Sequence, residues 1–213
     1  AMPSVEELDE LTTEMESFHP HAIKVVPTAS TLVHSIQMLQ WVRKGNSDIA
    51  RIGFAMGQKG TCSRLLTTVF GAPITYASFG DAVAPGQLSM DVLLNCYRVP
   101  ELNDSCLIYG VAGKDLNHSR ELEVMNQQLK KKQLNVVCIP LECLDLDELL
   151  AVMEDLNIKG VQLEDPLKEI AIDKFSGSGS FPGTSVYMEI SSVHGKQEIH
   201  FHPISGEKFF EHL

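Results

Sequence analysis

Hydrophobic positions recur at helical spacing from the start of the chain. Val5, Leu8, Leu11, Met15 and Phe18 predict an amphipathic helix over 4–17. Ser4 and Glu7 frame its start as a capping box. The period then changes. "AIKVV" (22–26) predicts a short strand, and Leu32, Ile36, Leu39 and Val42 predict a helix over 30–44. "IARIGFAM" (49–56) reads as a buried strand, and "SRLLTTVF" (63–70) as a short helix that Gly71 can end. "ITYASF" (74–79) is β-branched and aromatic and predicts a third strand, followed by a helix over 89–99 that Pro100 stops. One helix followed by three β/α pairs implies parallel strands. Three strands cannot close a barrel, which takes about eight.

The polar joint "ELNDS" (101–105) separates two expected domains, 3–102 and 106–213. In the second, strands are predicted at 106–112, 134–141 and 159–163, and helices at 119–132 and 145–156. "SGSGSFPG" (176–183) has the composition of a flexible loop. A hairpin over 185–202 turning at His194-Gly195 and a last helix over 206–213 complete a small α/β sandwich. The expected fold class is α/β throughout, with no internal repeat.

Charge and composition narrow the functions. The 213 residues carry 17 basic and 28 acidic side chains, a formal net charge of −11. Such a surface repels phosphate backbones unless basic residues cluster, which argues against direct DNA binding. Lys130, Lys131 and Lys132 form the one basic run and read as a solvated helix end. No apolar run reaches the roughly 18–20 residues of a membrane span, and no signal peptide is visible. Ala1-Met2 reads as a cloning remnant and Pro3 as an internal boundary rather than a natural terminus. Five cysteines, without CxxC spacing, argue against a disulfide framework or zinc site. Reduced thiols in an intracellular chain, nuclear or cytoplasmic, are the simple reading. Nothing in the sequence calls for a cofactor.

Single residues carry the candidate chemistry. Lys24 interrupts an apolar strand; burial would lower its pKa and make a Schiff-base nucleophile, whereas an edge position would let it snorkel to water. Arg64 follows "GQKGTCS", where glycines allow close backbone approach and a guanidinium could grip a carboxylate; a surface Arg at a helix start is the alternative. The stretch lacks the spacing of a phosphate-binding Walker loop. Gln87 ends the turn "APGQ" (84–87) and could offer its amide to a ligand, or simply serve the turn. His118-Ser119 lies at a strand-to-helix turn, where α/β sheets bind ligands, and Lys168 follows Pro166 at another. His200 and His202 share a strand face but lack an evident third metal ligand, which favours an exposed or structural pair.

"MGQKGTCSR" (56–64), "FG" (70–71) and "APGQ" resemble, in order, segments at the C-terminal end of type I 3-dehydroquinate dehydratases. The resemblance covers residues 3–100, about the last three of that family's eight β/α units. It implies that Lys24 corresponds to the Schiff-base lysine, and Arg64 and Gln87 to the substrate-binding Arg and Gln. It places the family's catalytic His upstream of residue 1 and puts Val83 where a Ser is usual. A Schiff-base Lys without its proton-transfer His should be a poor catalyst.

Residues 106–213 resemble the substrate-binding domain of shikimate dehydrogenases in degraded form. In "YGVAGKDLNHSRELEVMN", Ser119 matches the first ligand-binding Ser, while Glu121 stands at the second Ser, Leu122 at a Pro and Met125 at a His. In "GVQLEDPLKE", Lys168 matches the catalytic Lys, with Gln162, Glu164 and Leu167 as departures. Ile204 falls at the catalytic Asp. The family's nicotinamide-binding domain would come after this segment.

Fused domains of these two kinds resemble the end of the fungal pentafunctional AROM enzymes. With eroded catalytic positions they resemble the fungal quinate repressors. That resemblance implies a non-enzymatic regulator that holds a transcriptional activator protein inactive and senses a quinate- or shikimate-pathway metabolite. Lys24, Arg64, Gln87, Ser119 and Lys168 would then be vestigial or ligand-binding. The alternative is a fragment of a working AROM enzyme. A three-stranded remnant with open edges further implies a homodimer or higher oligomer, formed by burying strands 22–26 and 74–79.

Overall fold

The computed structural model describes residues 1–45, 48–80, 84–116, 119–175, 186–193 and 196–203. They divide into two compact units, Ala1–Ser105 and Cys106–Leu213.

In the first unit, α1 (Val5–Glu16) starts on the expected capping box: Glu7 N–H donates to Ser4 Oγ (3.1 Å) and Ser4 N–H to the Glu7 carboxylate (2.8 Å). Its apolar stripe is only partly covered. Leu8 and Thr12 are buried, while Val5, Leu11 and Phe18 are exposed. Thr12 explains the inward face: its hydroxyl donates to Leu8 C=O (2.6 Å) and accepts from the Trp41 indole N–H (2.8 Å). Trp41 lies on α2 (Leu32–Arg43), whose buried residues Leu32, Ile36, Met38 and Leu39 form much of this unit's core. β1 (Ala22–Val25) and β2 (Ala50–Gly53) pair in parallel, with Lys24 opposite Ile52. The next helix, α3 (Thr61–Leu66), is buried along its whole length. Gly71 adopts φ +104° as expected.

The third β/α unit departs from expectation. Residues 74–79 make no strand ladder; Ser78 alone pairs, its N–H donating to Leu88 C=O and its C=O accepting from Met90 N–H, both 2.9 Å. Ile74 and Phe79 are exposed, so strand propensity here finds no apolar layer to cover it. The helix predicted over 89–99 is shortened to 90–96 and widens over Val92–Cys96, where Tyr97 N–H reaches Val92 C=O. Arg98, at φ +53°, separates it from a short turn at Val99–Glu101. Two paired strands stand where about three were expected, and no barrel closes among the described residues.

The second unit contains β3 (Leu107–Gly113), α4 (Arg120–Lys131), β4 (Val136–Glu142), α5 (Leu146–Asp155), β5 (Gly160–Leu163), α6 (Leu167–Phe175), β6 (Val186–Val193) and β7 (Lys196–Pro203). The sheet order is β4-β3-β5-β6-β7; the first three strands are parallel and the last two antiparallel. The sheet is mixed because a hairpin follows two right-sized β-α-β crossovers. Val111, Leu122, Met125, Leu129 and Cys138 fill the contact between α4 and the sheet. Buried Asn126 fastens that contact: its Nδ2 donates to Leu122 C=O (2.9 Å) and Cys138 C=O (2.8 Å), and its Oδ1 accepts from Cys138 N–H (3.1 Å). The helix α6 was not expected; Leu167 and Ala171, both buried, are its helical signal. The loop 176–183, the turn His194-Gly195 and the helix over 206–213 lie outside the described residues. No helix among the described residues is long and apolar enough to cross a membrane.

Candidate functional site

At the carboxyl ends of β1 and β2, three loops are bonded together. Met56 N–H donates to Pro27 C=O (2.7 Å) and Ala29 N–H to Met56 C=O (2.9 Å). Gly57 N–H donates to Pro85 C=O (3.0 Å), which joins "MGQKG" to "APGQ". This approach requires glycine at position 86: φ is +70°, and a Cβ there would lie 2.2 Å from Gly57 O. Gln87 is half-buried at the end of the turn, its N–H donating to Ala84 C=O (3.1 Å). The "APGQ" turn and the glycine loop before Arg64, remote in sequence, therefore share one rim.

Two cations lie on a pair of touching aromatic rings beside this rim. Lys24 Nζ sits 3.8 Å from the Tyr76 ring centre, and the Tyr76 and Phe54 centres are 5.8 Å apart. Arg64 Cζ lies 4.3 Å from the Phe54 centre. Lys24 is exposed, which agrees with the reading of a Lys that reaches water rather than the buried one; the strand's inward positions are Ile23 and Val25. Arg64 is the reverse case. It is 3% exposed, not a surface residue, and burial lowers its pKa. No carboxylate pairs with it among the described residues, and its Nε has no hydrogen-bond partner. Tyr76 and Phe54 were missed as site residues because each reads as an ordinary strand aromatic.

In the second unit, Ser119 is the N-cap of α4, its Oγ accepting from Leu122 N–H (3.4 Å). Lys168 Nζ pairs with Asp165 (2.9 Å) rather than with Ser119. Between them the structure brings together the residues that depart from the dehydrogenase pattern. Gln162, 2% exposed on β5, donates an Nε2–H to the Glu121 carboxylate, and its Oε1 has no partner among the described residues. The Glu164 carboxyl lies near Glu121, and its pKa is pushed up to about 7 by burial first, then by Glu121, Glu142 and Asp165. Glu142 is committed elsewhere: its two oxygens accept the N–H groups of Asp115 (2.8 Å) and Leu116 (3.1 Å). Glu121 and Glu164 each stood out in the sequence as a departure; only the fold shows that they meet.

Among the described residues no group of three or more His, Cys, Asp or Glu could hold a metal. His200 is exposed on β7. The five cysteines are free thiols, and burial pushes Cys62 up to about 11. Val83, His118 and Ile204 lie outside the described residues.

Residues 1–104 match the type I 3-dehydroquinase family. A bifunctional chloroplastic 3-dehydroquinate dehydratase/shikimate dehydrogenase of Arabidopsis thaliana is 29% identical over 172 residues, covering 80% of this chain and 28% of that protein. A 3-dehydroquinate dehydratase of Thermococcus gammatolerans is 38% identical over 91 residues, 43% of this chain and 41% of that enzyme. Among solved structures, the dehydroquinate dehydratase and shikimate dehydrogenase part of S. pombe AroM aligns over 89% of this chain and 36% of its own, at 23% identity and a TM-score of 0.35. The chain spans less than half the length of each of these relatives. It is related to type I dehydroquinases in its first half and to a dehydratase/dehydrogenase fusion across most of its length.

Proposed function

We propose that this chain is part of an AROM-related protein whose second unit has given up dehydrogenase chemistry, and that it acts as a non-enzymatic repressor of quinate catabolism. The observation that carries this reading is the Gln162–Glu121–Glu164 chain. The resemblance to shikimate dehydrogenases sets Glu121, in the first turn of α4, at the second ligand-binding Ser, beside the expected site of the substrate's carboxylate. Here that place carries the carboxyl groups of Glu121 and Glu164, so an incoming carboxylate meets like charge. Lys168 is tied to Asp165 and is not poised alone for proton transfer.

The first unit keeps a different potential. Arg64 is a buried guanidinium with no acid paired to it among the described residues, beside the rim that holds Gln87. It suits recognition of a hydroxy-acid carboxylate by a sensor. The acidic surface favours a protein partner, the pathway activator, over DNA, with the regulator in the nucleus or cytoplasm. Exposed Phe79 and Ile74 are consistent with a homodimer or higher oligomer through this unit, which light scattering tests.

A second reading is favoured by the comparisons, since the relatives named above are enzymes: a fragment of a bifunctional dehydratase/dehydrogenase in which Lys24 forms the Schiff base. Borohydride reduction in the presence of dehydroquinate separates the two. A stable adduct on Lys24 with turnover supports the enzyme. Saturable binding without turnover supports the sensor. The absence of both contradicts a dehydroquinate site in this unit.

A further inference from the structure

We propose that Glu121, Glu164 and Gln162 form a binding site for a primary ammonium group. The inference does not depend on whether the chain is a repressor or an enzyme fragment.

Three acceptors meet there. Glu121 lies in the first turn of α4, and Glu164 directly follows β5, where its N–H donates to Ala112 C=O (2.9 Å). The Gln162 amide is buried at 2% exposure, with its nitrogen on Glu121 and its oxygen without a donor among the described residues. A buried amide oxygen left unpaired is unfavourable and marks a place where a donor is missing. Turning the amide over does not help, because it would set the oxygen against a carboxylate. The donor must come from outside the cluster.

The chemistry of that donor follows from charge and number. Glu121 and Glu164 have no Lys or Arg partner among the described residues, and Lys168 is held by Asp165 at 2.9 Å. An alkylammonium carries one positive charge and three N–H donors, which matches two carboxylates and one amide oxygen. A guanidinium is a planar fork suited to one carboxylate at a time. Glu121 is exposed and leaves the cluster open to solvent.

The groups facing Glu164 are Glu121 from α4, Glu142 from β4 and Asp165 after β5, with Lys168 of α6 lying on Asp165. Glu142 supplies no acceptor, since both its oxygens are occupied by backbone N–H groups. Where Glu164 is protonated, bound ammonium takes the place of its proton, which leaves as the cation enters. Affinity should therefore rise with pH towards about 7, the value to which Glu164 is pushed up, and level off above it.

The ammonium could belong to a free amine or to a lysyl side chain. Amide NMR of the full chain, titrated with n-butylammonium chloride and with Nα-acetyl-lysine N-methylamide, distinguishes these sources; n-butyrate is the control. Saturable shifts at Glu121, Gln162 and Glu164 with either amine, lost in Glu121→Gln and in Glu164→Gln, are the expected result. A preference for the blocked lysine identifies a protein partner, and equal response identifies a small amine. No saturable response to either amine at millimolar concentration, equal response to butyrate, or unchanged binding by a folded Glu121→Gln overturns the proposal.

Discussion

The Lys24 ammonium lies 3.8 Å from the centre of the Tyr76 ring, although the two residues belong to segments with no backbone pairing between them. The contact ties residues 74–79 to β1 where a strand ladder does not. Lys24 is exposed and Tyr76 half-buried, and a cation over a ring at such a solvent-facing site contributes about 0.5–1 kcal/mol. A double-mutant cycle with Lys24→Met and Tyr76→Leu, read by urea unfolding, should give a coupling of that size. A coupling of zero would mean that the ring and the amine are merely neighbours.

Arg64 presents the opposite balance. Its guanidinium is buried against Phe54 with no acid beside it among the described residues. Replacing a desolvated charge with an apolar side chain of similar length is often neutral or stabilising. Arg64→Met should unfold at the same or higher urea concentration than the parent chain, while losing any hydroxy-acid binding by the first unit. Marked destabilisation would show that the guanidinium has a structural partner.

Gly86 sets the meeting of the two loops. Its φ is +70°, and a Cβ would collide with Gly57 O at 2.2 Å. Gly86→Ala should cost more than about 1 kcal/mol. Amide exchange at Gly57, whose N–H is bonded to Pro85, should speed up with it.

Glu164 makes stability depend on pH. Its folded pKa is raised from 4.5 to about 7, so the folded chain holds a proton that the unfolded chain releases sooner. The stabilisation is complete below pH 4.5, declines as pH rises through the interval, and is flat above about 7. Glu164→Gln should flatten this part of the urea-midpoint profile. An unchanged profile would locate that proton elsewhere.

The outcome of the sequence reading follows from what each residue's neighbours could reveal. The capping box at Ser4 and the alternation of strand and helix over 22–66 and 107–163 were legible because local spacing determines them. The strand expected at 74–79 was not, because its aromatic and β-branched residues express a propensity that only a neighbouring layer can fulfil. α6 was hidden behind Pro166 and a short apolar signal. Arg64 carried the right residue type in the right loop, but its burial depends on Phe54, ten positions earlier. Glu121 and Glu164 were each visible as odd residues, yet they meet only because β5 ends beside the first turn of α4, where Gln162 reaches Glu121.

Residue-resolved NMR of the full chain with shikimate at neutral pH examines the second unit directly. Amide signals of Glu121, Gln162, Glu164 and Lys168 should stay where they are, because two carboxyl groups occupy the place of the ligand's acid. Saturable shifts at these four residues would show that the unit still accepts a dehydrogenase substrate and would contradict the loss of that chemistry.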